Sequence, residues 1–239
     1  AEQAPPEQYP APYALIDLWE EHGDDPGAMQ QAEIASFAHL LTSETSRNLR
    51  RVFFLRQGLK DKARGDDGIA HVHVVGAGSM GGEIAAWAAL KGKSVTLGDV
   101  ESDPLAAAMK RAREICGDKH LNRAETRDVL DRLVPDPQGY GIERADLVIE
   151  AAPEQLELKR RIFADLGVRM KPNAILASNT SSLPLTELAD QVTRPDHFAG
   201  LHFFNPVSRL ELVEVVAHAG TAKPVMDRLA AFCGAIDRL

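Results

Sequence analysis

Cysteine is nearly missing from this 239-residue chain: Cys116 and Cys233 stand far apart, outside any CxxC or Cys/His cluster. That usage suits a reducing compartment and argues against a structural zinc site, so no metal is expected. Long apolar runs are absent as well, and no integral membrane segment is expected. Positive charge is in deficit, with 27 Lys and Arg against 35 Asp and Glu and a net charge of -8. A nucleic-acid binder carries a basic face, so no nucleic-acid partner is expected. No internal repeat recurs at a fixed period. The first residue is Ala1 rather than Met, and no secretory h-region follows, as expected of an excised fragment or a processed N-terminus. What remains is an ordinary globular balance, 44% apolar and 26% charged, in a chain long enough for one sizeable domain and an appendage.

Residues 1–13 hold Pro5, Pro6, Pro10 and Pro12 and read as an extended connecting strip. Helical periodicity begins at Ala14, with Leu15, Leu18 and Trp19 on one face, and His22-Gly23 ends it. A second helix is expected over about 26–41. A third is expected over 44–62, capped by Ser43. Three short helices struggle to enclose a core alone. The charged, glycine-punctuated run Lys60 to Gly68 is taken as a boundary, giving a helical linker over 1–66 and a second domain over 67–239. In that domain strands are expected at 71–75, 94–99, 145–151, 174–179, 197–202 and 211–217. Helices are expected at 79–91, 103–117, 125–133, 154–170, 184–190 and 222–237. Short apolar strands alternating with helices predict an α/β fold, a doubly wound and mainly parallel sheet covered on both faces.

The stretch HVHVVGAGSMGGEIAAWAALKGKSVTLGD places Gly76-x-Gly78-x-x-Gly81 between a strand and a helix. The first glycine permits the tight turn and the second lets backbone approach a pyrophosphate. The third lets helix and strand pack closely. Asp99 follows Gly76 by 23 positions, at the end of the next strand. A carboxylate there accepts hydrogen bonds from ribose hydroxyls and repels a 2′-phosphate, which favours NAD over NADP. The competing reading is a glycine-rich turn in another α/β protein with Asp99 merely exposed. His71 and His73 alternate with Val72 and Val74 and are read as structural.

Three later blocks add to this fingerprint: DLVIEAAPEQLELK (Asp146 to Lys159), ASNTSSLPLTELA (Ala177 to Ala189) and RPDHFAGLHFFNPVSRLELVEVV (Arg194 to Val216). Together they resemble the NAD-binding domain of the 3-hydroxyacyl-CoA dehydrogenase family, LHFFNP (Leu201 to Pro206) being the most specific. The N-terminal helices, including Phe37 to Arg64, resemble the linker between the hydratase and dehydrogenase portions of the multifunctional α-subunit of bacterial fatty-acid oxidation complexes. The resemblance implies oxidation of an L-3-hydroxyacyl-CoA to the 3-ketoacyl-CoA with NAD as cofactor. It also implies an acyl-CoA substrate, a hetero-oligomeric partnership with a thiolase subunit, and a bacterial cytoplasmic setting. Residue by residue, it makes His202 the catalytic base, Glu214 its carboxylate partner, and Ser181 a hydrogen-bonding group near substrate hydroxyl and nicotinamide. It also implies that Asn205 lies beside the nicotinamide. By the same resemblance Met80, Asp99, the Ala152-Pro153-Glu154 stretch and Lys159 are expected to line the cofactor.

Each of these has a duller counterpart. His202 could be a satisfied strand histidine and Glu214 a surface glutamate on an alternating strand. Ser181 could belong to a capping segment with Thr180 and Ser182, and Lys159 could be a solvated ion-pair lysine. At the level of the whole chain, the alternatives are another hydroxyacid dehydrogenase with a GxGxMG loop, or a non-catalytic NAD-binding or structural module. Complete enzymes of the resembled kind continue into a helical domain with another catalytic asparagine, much of the acyl-CoA site and the dimer contacts. The chain as given is therefore expected to bind NAD yet turn over poorly, and to show no hydratase activity. Asp99→Ala is expected to weaken NAD binding well before it unfolds the domain, and calorimetry showing unchanged affinity would remove Asp99 from the site.

Overall fold

The computed structural model describes residues 4–239, so the first three residues of the expected proline-rich strip lie outside it. The chain divides into two compact units, Ala1–Leu59 and Lys60–Leu239. Among the described residues no helix is long and apolar enough to cross a membrane.

The first unit is helical: α1 (Pro10–His22), α2 (Pro26–Thr42) and most of α3 (Glu44–Lys62). The helix α1 begins four residues before the expected start at Ala14. Pro10 sits in its first turn, where a residue without an N–H costs no hydrogen bond, so the proline-rich strip supplies a helix start rather than only an extended segment. The helix α2 is started by Asp25, whose carboxylate accepts from the N–H groups of Gly27 and Ala28, with Pro26 at the first helical position. Ser43 caps α3 as expected, its hydroxyl accepting from Ser46 N at 3.1 Å. No side chain of the three helices is buried, and Trp19, Phe37, Phe53 and Phe54 are each more than 60% exposed. The unit carries helices without enclosing a core.

The second unit is a seven-stranded sheet in the order β3-β2-β1-β4-β5-β6-β7. Its strands are β1 (His71–Val75), β2 (Ser94–Gly98), β3 (Leu133–Pro135), β4 (Leu147–Glu150), β5 (Ile175–Ser178), β6 (Phe198–Phe203) and β7 (Val213–Val216). The first six run parallel and β7 is antiparallel to β6. This is the doubly wound order, whose direction of winding reverses between β1 and β4. Helices α4 (Ser79–Leu90), α5 (Ser102–Asp118), α6 (Arg123–Arg132), α7 (Leu156–Arg169), α8 (Leu185–Ala189) and α9 (Lys223–Ala235) connect and cover it. Val72, Val74, Val95, Leu97, Leu147 and Ile149 are wholly buried, as parallel strands covered on both faces require. The helix α4 is buried almost all round, and its alanines 85, 86, 88 and 89 let it lie close to the sheet.

Two elements depart from the sequence expectation. The strand β3 has no counterpart in the expectation, whose helix over 125–133 takes in Leu133 and leaves 134–135 between elements. The chain leaves α6 at Arg132 and pairs three residues with β2 in parallel register, too short a run to show alternation. The helix α7 starts at Leu156 with Gln155 as its cap, two residues after the expected start at 154, so Glu154 lies in the preceding loop.

The turn after β1 is set by two close approaches. Gly76 has φ +98°, a left-handed conformation that a side chain would strain, and a Cβ there would lie 2.7 Å from the Ala151 carbonyl oxygen. A Cβ on Gly81 would stand 1.8 Å from the Gly76 carbonyl oxygen, and backbone cannot yield to it. Gly81→Ala is therefore expected to cost about 3 kcal/mol, read as a lowered midpoint in urea unfolding. An unchanged midpoint would mean that α4 can shift away from the turn.

Candidate active site

The reversal between β1 and β4 opens a crevice at the carboxyl ends of the strands, where an open α/β sheet presents its binding site. Asp99, one residue beyond β2, reaches back to the glycine turn. Its Oδ2 accepts from Ala77 N at 2.7 Å and its Oδ1 from Glu101 N at 3.1 Å. A carboxylate has about four lone-pair sites, so acceptor capacity remains for hydroxyls arriving from the crevice. Asp99, Gly76, Ala152 and Pro153 line a cavity of about 500 Å³, together with Leu158 and Ile162 of α7. The other expected residues gather across the loop. Met80, Ala152, Glu154, Ser181, His202 and Asn205 line a second cavity of about 320 Å³.

Gly78 stands between the two cavities in sequence and differs from its neighbours. A Cβ there would meet no atom within 4 Å, so packing gives no reason for glycine. The first turn of α4 also receives no side-chain cap from Gly78, which leaves its N–H groups for a ligand. Two chambers that share Ala152, one lined by Gly76 before the uncapped start of α4 and the other by Met80 within its first turn, match two nucleosides joined through a pyrophosphate. The residues present fit a dinucleotide.

The antiparallel pairing of β6 with β7 sets His202 directly opposite Glu214. Side chains directly opposite in such a pair point to the same face, and here Nδ1 of His202 lies 2.9 Å from Glu214 Oε2. The imidazole is half-buried against the Phe204 ring, 4.6 Å between centroids, and forms part of the second cavity's wall. Glu214 lies behind it, more than half exposed and outside the cavity lining. A carboxylate in that place orients the ring.

A buried charged cluster fixes the loops around this wall. Lys159, 1% exposed, is not the solvated lysine of the simpler reading. Its ammonium donates to Glu150 Oε1 at 2.6 Å and to the Ala152 carbonyl at 3.2 Å, and lies 3.3 Å from Glu154 Oε2. Glu150, wholly buried, also accepts from Ala152 N at 2.7 Å and from the Ser178 hydroxyl at 2.6 Å. Glu154 Oε1 accepts from the Thr180 hydroxyl at 2.5 Å, Ser181 N at 3.0 Å, and the Ser182 N–H and hydroxyl at 3.1 Å each. Burial opposes ionisation of Glu154, but the Thr180 hydroxyl, the Lys159 charge and the serine donors outweigh it and hold the carboxyl at about 2. It is thus an anionic anchor at working pH and not a proton donor. Ser181 takes part through its backbone N–H while its residue faces the cavity.

A family model described as 3-hydroxyacyl-CoA dehydrogenase, NAD binding domain, matches residues 71–239. The chain belongs to this family. Among its relatives is the fatty acid oxidation complex subunit alpha of Psychrobacter sp., 36% identical over 90% of this chain and 31% of that protein. The chain thus spans about a third of the length of the curated relatives it matches. Of solved structures, 3-hydroxybutyryl-CoA dehydrogenase from Escherichia coli K12 superposes with a TM-score of 0.69 at 36% identity, covering 71% of this chain and 37% of that one. The (S)-3-hydroxybutyryl-CoA dehydrogenase from Ralstonia eutropha gives 0.67 at 32%, covering 71% and 62%. These matches give the chain the dehydrogenase family's NAD-binding fold, and the cavities sit where that fold holds its cofactor.

Some site residues escaped sequence reasoning. Asn179 lines the second cavity and its Oδ1 accepts from Phe203 N at 2.8 Å, tying the end of β5 to the strand that carries His202. Its place within SNTSSL was the available signal. Glu150 and Ser178 sit at strand ends amid apolar runs, and only the fold shows that they meet. Gly78→Ala separates the two reasons for a glycine. Stability is expected to hold or rise by up to about 1 kcal/mol, while NAD binding by calorimetry weakens about tenfold or more. Unchanged affinity would place the pyrophosphate elsewhere.

Proposed function

We propose that this chain is the NAD-binding part of an L-3-hydroxyacyl-CoA dehydrogenase of fatty-acid β-oxidation, with residues 1–66 as the linker that precedes it. The observation that carries this reading is His202, paired with Glu214 behind it, on the wall of a cavity that Met80, Glu154, Ser181 and Asn205 also line. When bound, NAD supplies the hydride acceptor. Gly76, Gly78 and Gly81 shape the turn for the pyrophosphate, and Asp99 takes the adenosine ribose hydroxyls. Met80, Ala152, Pro153 and Asn205 form walls against the two nucleosides. Glu154 holds the Ser181 loop in place, and Lys159 acts from beneath by fixing Glu154 and the Ala152 carbonyl.

In this reading the imidazole of His202 removes the proton of the 3-hydroxyl. Glu214, bonded at Nδ1, keeps the free ring nitrogen available to accept that proton and offsets the positive charge that develops. Ser181 holds the hydroxyl oxygen in line with the base. Departure of the proton lets the carbon–oxygen double bond form as hydride leaves the same carbon, and the product is a 3-ketoacyl-CoA. Such a product is the substrate of thiolytic cleavage. A thiolase is accordingly the partner subunit this reading assigns, in the cytoplasm of a bacterium, in keeping with relatives named as subunits of a complex.

The test is a pair of substitutions in the intact protein. His202→Gln is expected to lower kcat by about 10³-fold for a 3-hydroxyacyl-CoA, with NAD affinity unchanged. Glu214→Gln is expected to cost less, since the base survives without its partner. A His202 variant that keeps its rate would end the catalytic assignment.

A further inference from the structure

The larger cavity continues past Asp99 to a polar floor that the ribose contact does not use. His73, Asp136, Gly139 and Ile142 form it beneath Gly98 and Asp99. His73 is 1% exposed, yet its ring reaches the level of Gly98: a Cβ on Gly98 would lie 3.2 Å from Nε2 and 3.3 Å from Cε1. Any side chain at position 98 would stand over the imidazole. With glycine there, the edge of the otherwise buried ring borders the cavity, and the Asp136 carbonyl oxygen, 3.4 Å from the same point and accepting from Gly139 N with one of its lone pairs, converges there too.

The polar surroundings define which ring nitrogen carries the proton. Nδ1 lies 2.8 Å from Thr96 Oγ1 and 3.8 Å from Asp136 Oδ2, so an acceptor and an anion both favour N–H at Nδ1. Thr96 has one hydroxyl proton and can direct it to His71 Nε2, 2.9 Å away. Asp136 is held in place by Tyr140 N at 3.0 Å and Gly141 N at 2.6 Å. Burial, only partly offset by Asp136, holds His73 down at about 4, so the ring is neutral and Nε2 presents a lone pair. This part of the cavity therefore offers two acceptors, the His73 ring and the Asp136 carbonyl, while the Arg169 guanidinium that also lines it is turned to the Gln138 and Gly139 carbonyls.

We propose that His73 is a specificity-determining residue of the cofactor site, its Nε2 accepting a hydrogen bond from the exocyclic amino group of the adenine base. This rests on the dinucleotide reading above and extends it from the ribose to the base. A neutral acceptor at that place selects a 6-amino purine, which donates, over a 6-oxo purine, whose oxygen meets a lone pair. Cofactor choice is then made at two points: Asp99 against a 2′-phosphate and His73 against a base without the amino donor.

The experiment titrates the chain with NAD and with nicotinamide hypoxanthine dinucleotide, which differs at the 6-position of the purine. The wild-type chain is expected to bind NAD about tenfold tighter, because the oxo analogue leaves a buried acceptor unpaired. In His73→Leu, of similar bulk and with no acceptor, the ratio is expected to fall close to one, mainly through weaker NAD binding. Equal affinities in the wild type, or preference for the hypoxanthine analogue, overturn the proposal without recourse to any variant. A folded His73→Leu that keeps the tenfold ratio overturns it as well. Binding of neither dinucleotide by the wild-type chain overturns the cofactor reading itself, and this inference with it.

Discussion

A lysine shut off from water holds the active-site end of the sheet domain together. Charges are seldom buried this deeply, because removing an ammonium from solvent costs several kcal/mol unless partners replace its hydration. Lys159 has such partners in Glu150, Glu154 and the Ala152 carbonyl, each from the strand end or loop that precedes its own helix. Glu150 passes the constraint to Ser178 at the end of β5, and Glu154 passes it to three consecutive residues of the next loop. Two loops that would otherwise be independent are thus stitched through one buried cation. The cluster gives rigidity where the cavity needs it, though replacing all of it by apolar residues would not necessarily reduce stability.

The histidine–glutamate pair depends on the one strand that breaks the parallel rule. In a parallel sheet the neighbour of β6 would arrive after a long crossover. The short return through residues 204–212 instead makes β7 antiparallel and sets residue 214 opposite residue 202. Position then follows from register: a slip of one residue would turn Glu214 to the opposite face. Asn179 secures the same strand from the other side through Phe203 N. His202 is consequently held from β5 and from β7, while its ring stays partly exposed at the cavity.

Much of this architecture was legible in the residues. The glycine turn, its helix and the acid after β2 are local features, each specified within about thirty positions by steric need and strand alternation. The blocks around Glu154, Ser181 and His202 could be recognised as sequence, although their meeting in one cavity could not be read from spacing. What stayed hidden has common physical causes. The strand β3 is too short to show a period, and α1 starts at a proline that reads equally well as linker. Lys159 and Glu150 look like ordinary polar residues until the fold buries both. His73 alternates with valines as a structural residue would, and only the absence of a side chain at position 98 reveals that its ring reaches a cavity.

The strand β3 has a consequence for the molecule as a solute. It ends one side of the sheet, and an outermost strand with free backbone donors can recruit a strand from another molecule. Here that margin is three residues long, closes on Pro135, which has no N–H to offer, and gives way at once to a turn tied down by Asp136. A border so trimmed offers little template for strand addition on that side of the sheet.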